Sequence, residues 1–203
     1  MKALLIAVGY LAAVTAAPQA SPSSPRNEPL KNTTWHSKEL KNYQDAWKSI
    51  NQNVSTTYYF LRSTYNNDSV WGKNFTCLSV TVTSKHESTF TVEYNTTYKN
   101  QSQQWVSMTE NVTAVQEEGY DVKNIIQWTT ENNTKFNDTV VFTDGQTCDL
   151  LYIPYKENGY ELWVRSDYLQ NTPTCCQFIF DLVALGRTTY NISTPDCVTK
   201  TSR

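Results

Sequence analysis

The side chains able to do chemistry in this chain are carboxylates and aromatic rings. Among its 203 residues are 19 Asp and Glu, 13 Tyr, 7 Phe and 6 Trp, against only two His. No Gly-rich phosphate loop, nucleophile elbow or metal-ligand spacing occurs, so nothing assembles a catalytic centre. Carboxylates among aromatic faces, away from water, suit a different task. A site for an organic cation would need them, carboxylates for its charge and aromatic faces for cation–π contact. An unpaired internal acid is costly until a cation arrives, so internal acids without basic partners are the feature to seek. Glycosylation sequons help to find them, because a glycosylated Asn must face solvent. A glycan on Asn111 turns its neighbours Glu110 and Met108 inward, since strand side chains alternate between faces. The same reasoning at Asn95 puts Glu93 outward and Tyr94 inward.

Strands must position these residues. Leu78, Val80 and Val82 alternate with Ser79, Thr81 and Thr83, and Phe90, Val92 and Tyr94 alternate with Thr91, Glu93 and Asn95. Residues 56–65 are β-branched and aromatic, and further strand-like stretches lie near 104–115, 122–130, 136–143, 148–153 and 159–165. Eight or so short strands without helical crossovers form an antiparallel meander, closed as a sandwich or an up-and-down barrel. Before them, Leu40, Tyr43, Trp47 and Ile50 recur at helical spacing within residues 37–51. After them, a second helix is expected at 174–185, with Phe178, Ile179, Leu182 and Leu185 on one face and Gly186 as the stop. Asp45 and Trp47 read as structural, Trp47 closing the barrel end, and His36 and His86 read as surface residues.

Residues 1–17 have the form of a signal peptide: Lys2, an apolar run from Ala3 to Val14, and small residues through Ala17. Residues 18–34 are Pro- and Ser-rich and read as a flexible lead-in. Residues 35–203, about 170 residues, suffice for one domain with a sizeable core. The formal charge of −2 and the lack of a basic stripe exclude a nucleic-acid partner, and no apolar stretch is long enough for a membrane span. Sequons stand at Asn32, Asn53, Asn67, Asn74, Asn95, Asn100, Asn111, Asn132, Asn137 and Asn191. They and the leader point to a secreted, extracellular glycoprotein. In that compartment Cys77, Cys148, Cys175, Cys176 and Cys197 should form two disulfides and leave one thiol. No metal and no cofactor is expected.

Several segments resemble the tick salivary histamine-binding proteins, which are lipocalins. They are DAWKSI (Asp45–Ile50), YYFLRSTYNNDSVWGKNFTC (Tyr58–Cys77), MTENVTAV (Met108–Val115), CDLLYIP (Cys148–Pro154), GYELW (Gly159–Trp163) and the Cys197 region. The most specific element is Cys148-Asp149-Leu150, ten residues, then Glu161-Leu162-Trp163, which resembles the family's biogenic-amine-binding signature. The resemblance implies an all-β, eight-stranded antiparallel up-and-down lipocalin barrel with a short N-terminal and a C-terminal helix. It implies binding of histamine, or a related amine such as serotonin, and no enzymatic activity. Carried over residue by residue, Asp68 and Glu110 match the acids of a higher-affinity amine site, and Tyr65, Trp128 and Phe136 its aromatic walls. Trp128 stands where a tyrosine is usual. Trp71, Asp149, Glu161 and Trp163 match a second site, but a further acid of that pocket is replaced by Asn53, which puts two-site binding in doubt. The family pattern also pairs Cys77 with Cys197 and Cys148 with Cys176, leaving Cys175 free.

Two rival functions remain. A lipid, sterol or eicosanoid carrier would use the same aromatic content, with Arg62 as the candidate partner of a ligand carboxylate. An immunomodulator would act through its outer surface on host complement or immune cells. Both, like amine capture, would serve to suppress a host response.

Overall fold

The structure is a computed structural model that describes residues 35–130 and 133–200. The leader, the lead-in, Asn32 and Asn132 lie outside the described residues. The barrel strands are β1 (Thr57–Ser63), β4 (Thr76–His86), β5 (Thr91–Lys99), β6 (Trp105–Val115), β7 (Ile125–Thr129), β8 (Lys135–Thr143), β9 (Cys148–Ile153) and β10 (Gly159–Arg165). Between β1 and β4 the chain forms a small hairpin, β2 (Asn67–Asp68) and β3 (Gly72–Lys73), and β11 (Tyr190–Asn191) adds to β1 near the tail. Each barrel strand pairs antiparallel with the next, and β10 returns to pair with β1, with Tyr58 opposite Arg165 and Ser63 opposite Glu161. The eight strands thus close into an up-and-down barrel, as expected. Closure leaves no unpaired edge along the sheet.

Burial follows from what covers each strand. Along β5, Val92, Tyr94, Thr96 and Tyr98 are buried while their neighbours are not, because that wall has water outside it. In β9 and β10 nearly every residue is buried. There the inward set faces the barrel core, and the outward set, including Leu150, Leu162 and Val164, lies under helix α2 (Thr174–Val183).

Both helices depart from the sequence expectation in detail. The first is broken. A 3-10 turn at Lys38–Tyr43 is followed by α1 (Ala46–Ile50), which restarts when the Asp45 carboxylate caps the N–H groups of Trp47 and Lys48. Tyr43 is exposed as a result, while Trp47 packs against Phe90 at the closed end of the barrel. At α2 the packed face is Cys176, Phe180 and Ala184, joined from the expected face by the partly buried Ile179. Phe178, Leu182 and Leu185 are 64%, 55% and 75% exposed. The helix is apolar on two sides, and the covalent bond from Cys148 to Cys176 selects which one meets the barrel. A second disulfide joins Cys77 to Cys197, and Cys175 is free and exposed.

Candidate functional site

The strands enclose a cavity of about 780 Å³ that opens at the end carrying the β1–β4, β7–β8 and β9–β10 connections. Four acids line it: Asp68 from the β2–β3 hairpin, Glu110 from β6, Asp138 from β8 and Glu161 from β10. Tyr65, Trp71, Trp128, Phe136 and Tyr155 supply its aromatic walls. All five residues matched to the higher-affinity site by resemblance therefore meet here. Alternation places Glu110: Asn111 is exposed, and Glu110 turns toward the cavity beside the half-buried Met108. Opposite them on β5, Tyr94 is buried and Asn95 exposed.

Each acid has a distinct set of partners. Asp68 Oδ1 accepts the backbone N–H groups of Val70 and Trp71, at 2.6 and 3.3 Å, and Oδ2 stands 2.9 Å from Lys156 Nζ. Glu161 accepts the Tyr65 hydroxyl on one oxygen and the Trp163 ring N–H, at 2.7 Å, on the other. Asp138 accepts the Tyr155 hydroxyl at 2.7 Å and a hydrogen bond from Trp128. Glu110 has one partner among the described residues, the Thr96 hydroxyl.

Burial governs the protonation of this cluster. It pushes Glu161 up to about 7, against which the Tyr65 and Trp163 hydrogen bonds act. It carries Asp138 well above the usual carboxylate range, reinforced by the charge of Glu161. Glu110 is also raised by burial, partly offset by Thr96. Charged carboxylates are disfavoured when desolvated, and a cation nearby reverses that preference.

The residues matched to a second site divide. Trp71 and Glu161 belong to the main cavity, while Asp149 and Trp163 border a smaller pocket toward the closed end. Trp128 lines both, and Trp163, hydrogen-bonded to Glu161, completes the partition. The inner pocket is about 30 Å³, room for a water or two and not for an aromatic amine. Asp149 is pushed up to about 7 by burial, against hydrogen bonds from Thr143 and Ser49. Its Oδ1 and the Tyr58 hydroxyl are buried there without hydrogen-bond partners among the described residues. Asn53, at the position of the missing acid, is exposed.

Two expectations are corrected. Arg62 does not face the cavity: it pairs with Asp181 at 2.7 Å and covers the Phe180 ring, on the outside of the barrel. His36 is half-buried, 2.9 Å from Glu117, rather than a free surface residue. His86 is exposed. The partners of the acid cluster that the sequence did not mark are Tyr155 and Asp138 in the cavity wall and Lys156 beside Asp68. Tyr155 and Lys156 lie in a turn that carries no strand signal. Asp138 did have one: Asn137 is a sequon and is exposed, so the alternation that placed Glu110 also turns Asp138 inward. Gly159 has a structural part, because a Cβ there would lie 2.8 Å from Tyr65 Cδ1 and 2.9 Å from the Lys156 carbonyl.

Among the described residues, no group of His, Cys, Asp and Glu is arranged to hold a metal ion, and no helix is long and apolar enough to cross a membrane. Sequons Asn67, Asn74 and Asn100 fall on connections at the open end.

Comparison with known proteins gives a consistent result. The family described as Tick histamine binding protein matches residues 35–199. A male-specific histamine-binding salivary protein of Rhipicephalus appendiculatus is 37% identical over 158 residues, covering 72% of this chain and 76% of the relative. A female-specific histamine-binding protein 1 from the same tick is 31% identical over 160 residues, covering 77% and 83%. Among solved structures, the AM182 serotonin complex superposes with a TM-score of 0.56 at 25% identity, over 75% of this chain and 91% of that one. Crustacyanin H1 of the lobster Homarus americanus shares the fold at a TM-score of 0.53 and 13% identity, over 83% and 92%. With the barrel, the disulfides and this acid-lined cavity, the chain belongs to the tick histamine-binding protein family, whose members bind ligands and are not enzymes.

Proposed function

We propose that the protein is a secreted salivary scavenger that captures histamine, or a related aromatic amine, in the main cavity and so lowers host inflammatory signalling at a bite. Glu110 carries the reading. It is a half-buried carboxylate raised by desolvation, with one hydroxyl partner, facing a chamber walled by Trp and Tyr rings. An arriving ammonium restores the charge interaction that burial removed, and the rings add cation–π contact. The relatives are named as histamine-binding, one of them as salivary, and the AM182 structure is a complex with serotonin. Secretion agrees with the leader-like start, the two disulfides and the salivary relative.

Binding is by mass action at one site. The inner pocket is too small for a second amine, and the exposed Asn53 supplies no acid to it. A carrier of fatty acids or eicosanoids is disfavoured. Arg62 points outward, no Lys or Arg is among the residues lining the main cavity, and Lys156 beside it is already paired with Asp68.

Calorimetric titration of histamine into the glycosylated protein tests the proposal. One equivalent should bind, and Glu110→Gln should weaken it about a hundredfold, the cost of removing one partner of a desolvated charge pair. Equal affinity for both proteins would dismiss Glu110 as the cation's partner. No binding by the native protein would dismiss amine capture.

A further inference from the structure

The cation subsite between Asp68 and Tyr65 is not vacant. Lys156 reaches into it from the turn joining β9 to β10, its side chain 15% exposed and that of Asp68 8%. Its ammonium stands 2.9 Å from Asp68 Oδ2 and 3.2 Å from the carbonyl of Asn67, and lies over the Tyr65 ring at 5.8 Å from the centroid. Those are a carboxylate, a carbonyl and an aromatic face, the surroundings an organic ammonium would seek. The other oxygen of Asp68 is committed to the N–H groups of Val70 and Trp71. Asp68 therefore has little left to offer a ligand while Lys156 stays.

The turn that presents Lys156 is held in place. Lys156 N–H donates to the Ile153 carbonyl, and Arg187 Nη1 donates to the carbonyls of Glu157 and Asn158 from outside. On the other side of Lys156, Tyr155 is anchored to Asp138. With its backbone pinned on both flanks, the lysine can leave only by swinging its flexible stem, which needs no movement of the barrel.

We propose that Lys156 is a tethered stand-in for the ligand, its ammonium filling the Asp68–Tyr65 subsite in the empty protein and yielding it when an organic cation binds. The idea rests on the amine-capture reading for the ligand's identity but concerns a residue to which that reading gives no part in holding the amine. An internal competitor weakens apparent affinity by the fraction of molecules it closes. It also keeps Asp68 paired when no ligand is present, sparing the barrel a buried unpaired charge. Selectivity follows too, since a neutral or anionic ligand cannot replace the lysine at Asp68.

Histamine titrations of the native protein, Lys156→Met and Lys156→Gln, with Glu110→Gln alongside, provide the test. Both Lys156 variants should bind about fivefold to tenfold more tightly, as expected when a competitor's hold on the site is removed. Native binding with unchanged or weaker binding by folded Lys156 variants would overturn the stand-in and leave amine capture intact. A native protein that does not bind, with Lys156 variants that do, would support the stand-in and dismiss scavenging. Silence from all of them would dismiss both. Reductive methylation of the native protein, read at Lys156 by peptide mass spectrometry, covers variants that fail to fold. Because histamine's own amine consumes reagent, modification at Lys156 is read relative to the exposed lysines of the same sample. Saturating histamine should raise that ratio several-fold, and a lower or unchanged ratio would overturn the displacement.

Discussion

At the scale of single residues, the cavity is an arrangement of acids that differ in how fully the protein satisfies them. Glu161 and Asp138 are each hydrogen-bonded by two side chains, Asp68 by backbone and a lysine, and Glu110 by one hydroxyl. That ordering was only partly legible in the sequence. Alternation about Asn111 marks Glu110, and about Asn137 it marks Asp138, but no local pattern states that Lys156 folds back onto Asp68. The two are 88 positions apart, brought together by two loops at one barrel end. Gly159 shows how fine the fit is. Gly159→Ala would push on the Tyr65 ring and the Lys156 carbonyl at once, and we expect histamine affinity to fall about tenfold with the far-ultraviolet spectrum unchanged. Titration beside a circular dichroism scan checks both parts.

At the scale of elements, strands were more legible than helices. A strand with water on one side writes its orientation into alternate residues, as Val92, Tyr94 and Thr96 do in β5. A helix apolar on two sides does not state which side is covered. In α2 the covered side is chosen by contacts remote in sequence, the bond to Cys148 and the packing of Phe180 beneath the Arg62 guanidinium. The contrast is measurable. Phe180→Ala should cost about 3–5 kcal/mol, the usual loss for a fully buried ring, whereas the exposed Phe178→Ala should stay within about 0.5 kcal/mol. Denaturant midpoints of the two variants decide it, and a larger loss for Phe178→Ala would mean that α2 is packed on its other face.

At the scale of the whole molecule, the buried acids couple stability to pH. Glu161 and Asp149 titrate at about 7 when folded, against ordinary values of 4.5 and 3.8. Between those values the folded chain holds protons that the unfolded chain has released, so their contribution is full below the ordinary values and lost as pH rises through 7. The ligand-free protein should therefore melt at a lower temperature at about pH 8 than at about pH 5, and Glu161→Gln should flatten the slope. A bound cation opposes the loss, so serotonin, whose ammonium stays charged over this range, should stabilise the protein more at the higher pH. Scanning fluorimetry with and without it reads both trends, and a ligand-free midpoint that rises with pH would reverse the assignment.

The open end has one more consequence, set by Asn67, Asn74 and Asn100. Wherever these asparagines carry sugar, the mouth sits inside a hydrated fringe of branched chains. A small solute diffuses through such a fringe almost unhindered, but a bilayer or a receptor cannot come flush with the rim. Cargo would then be taken only from solution, one free molecule at a time, and never handed over by direct contact with the surface that releases it.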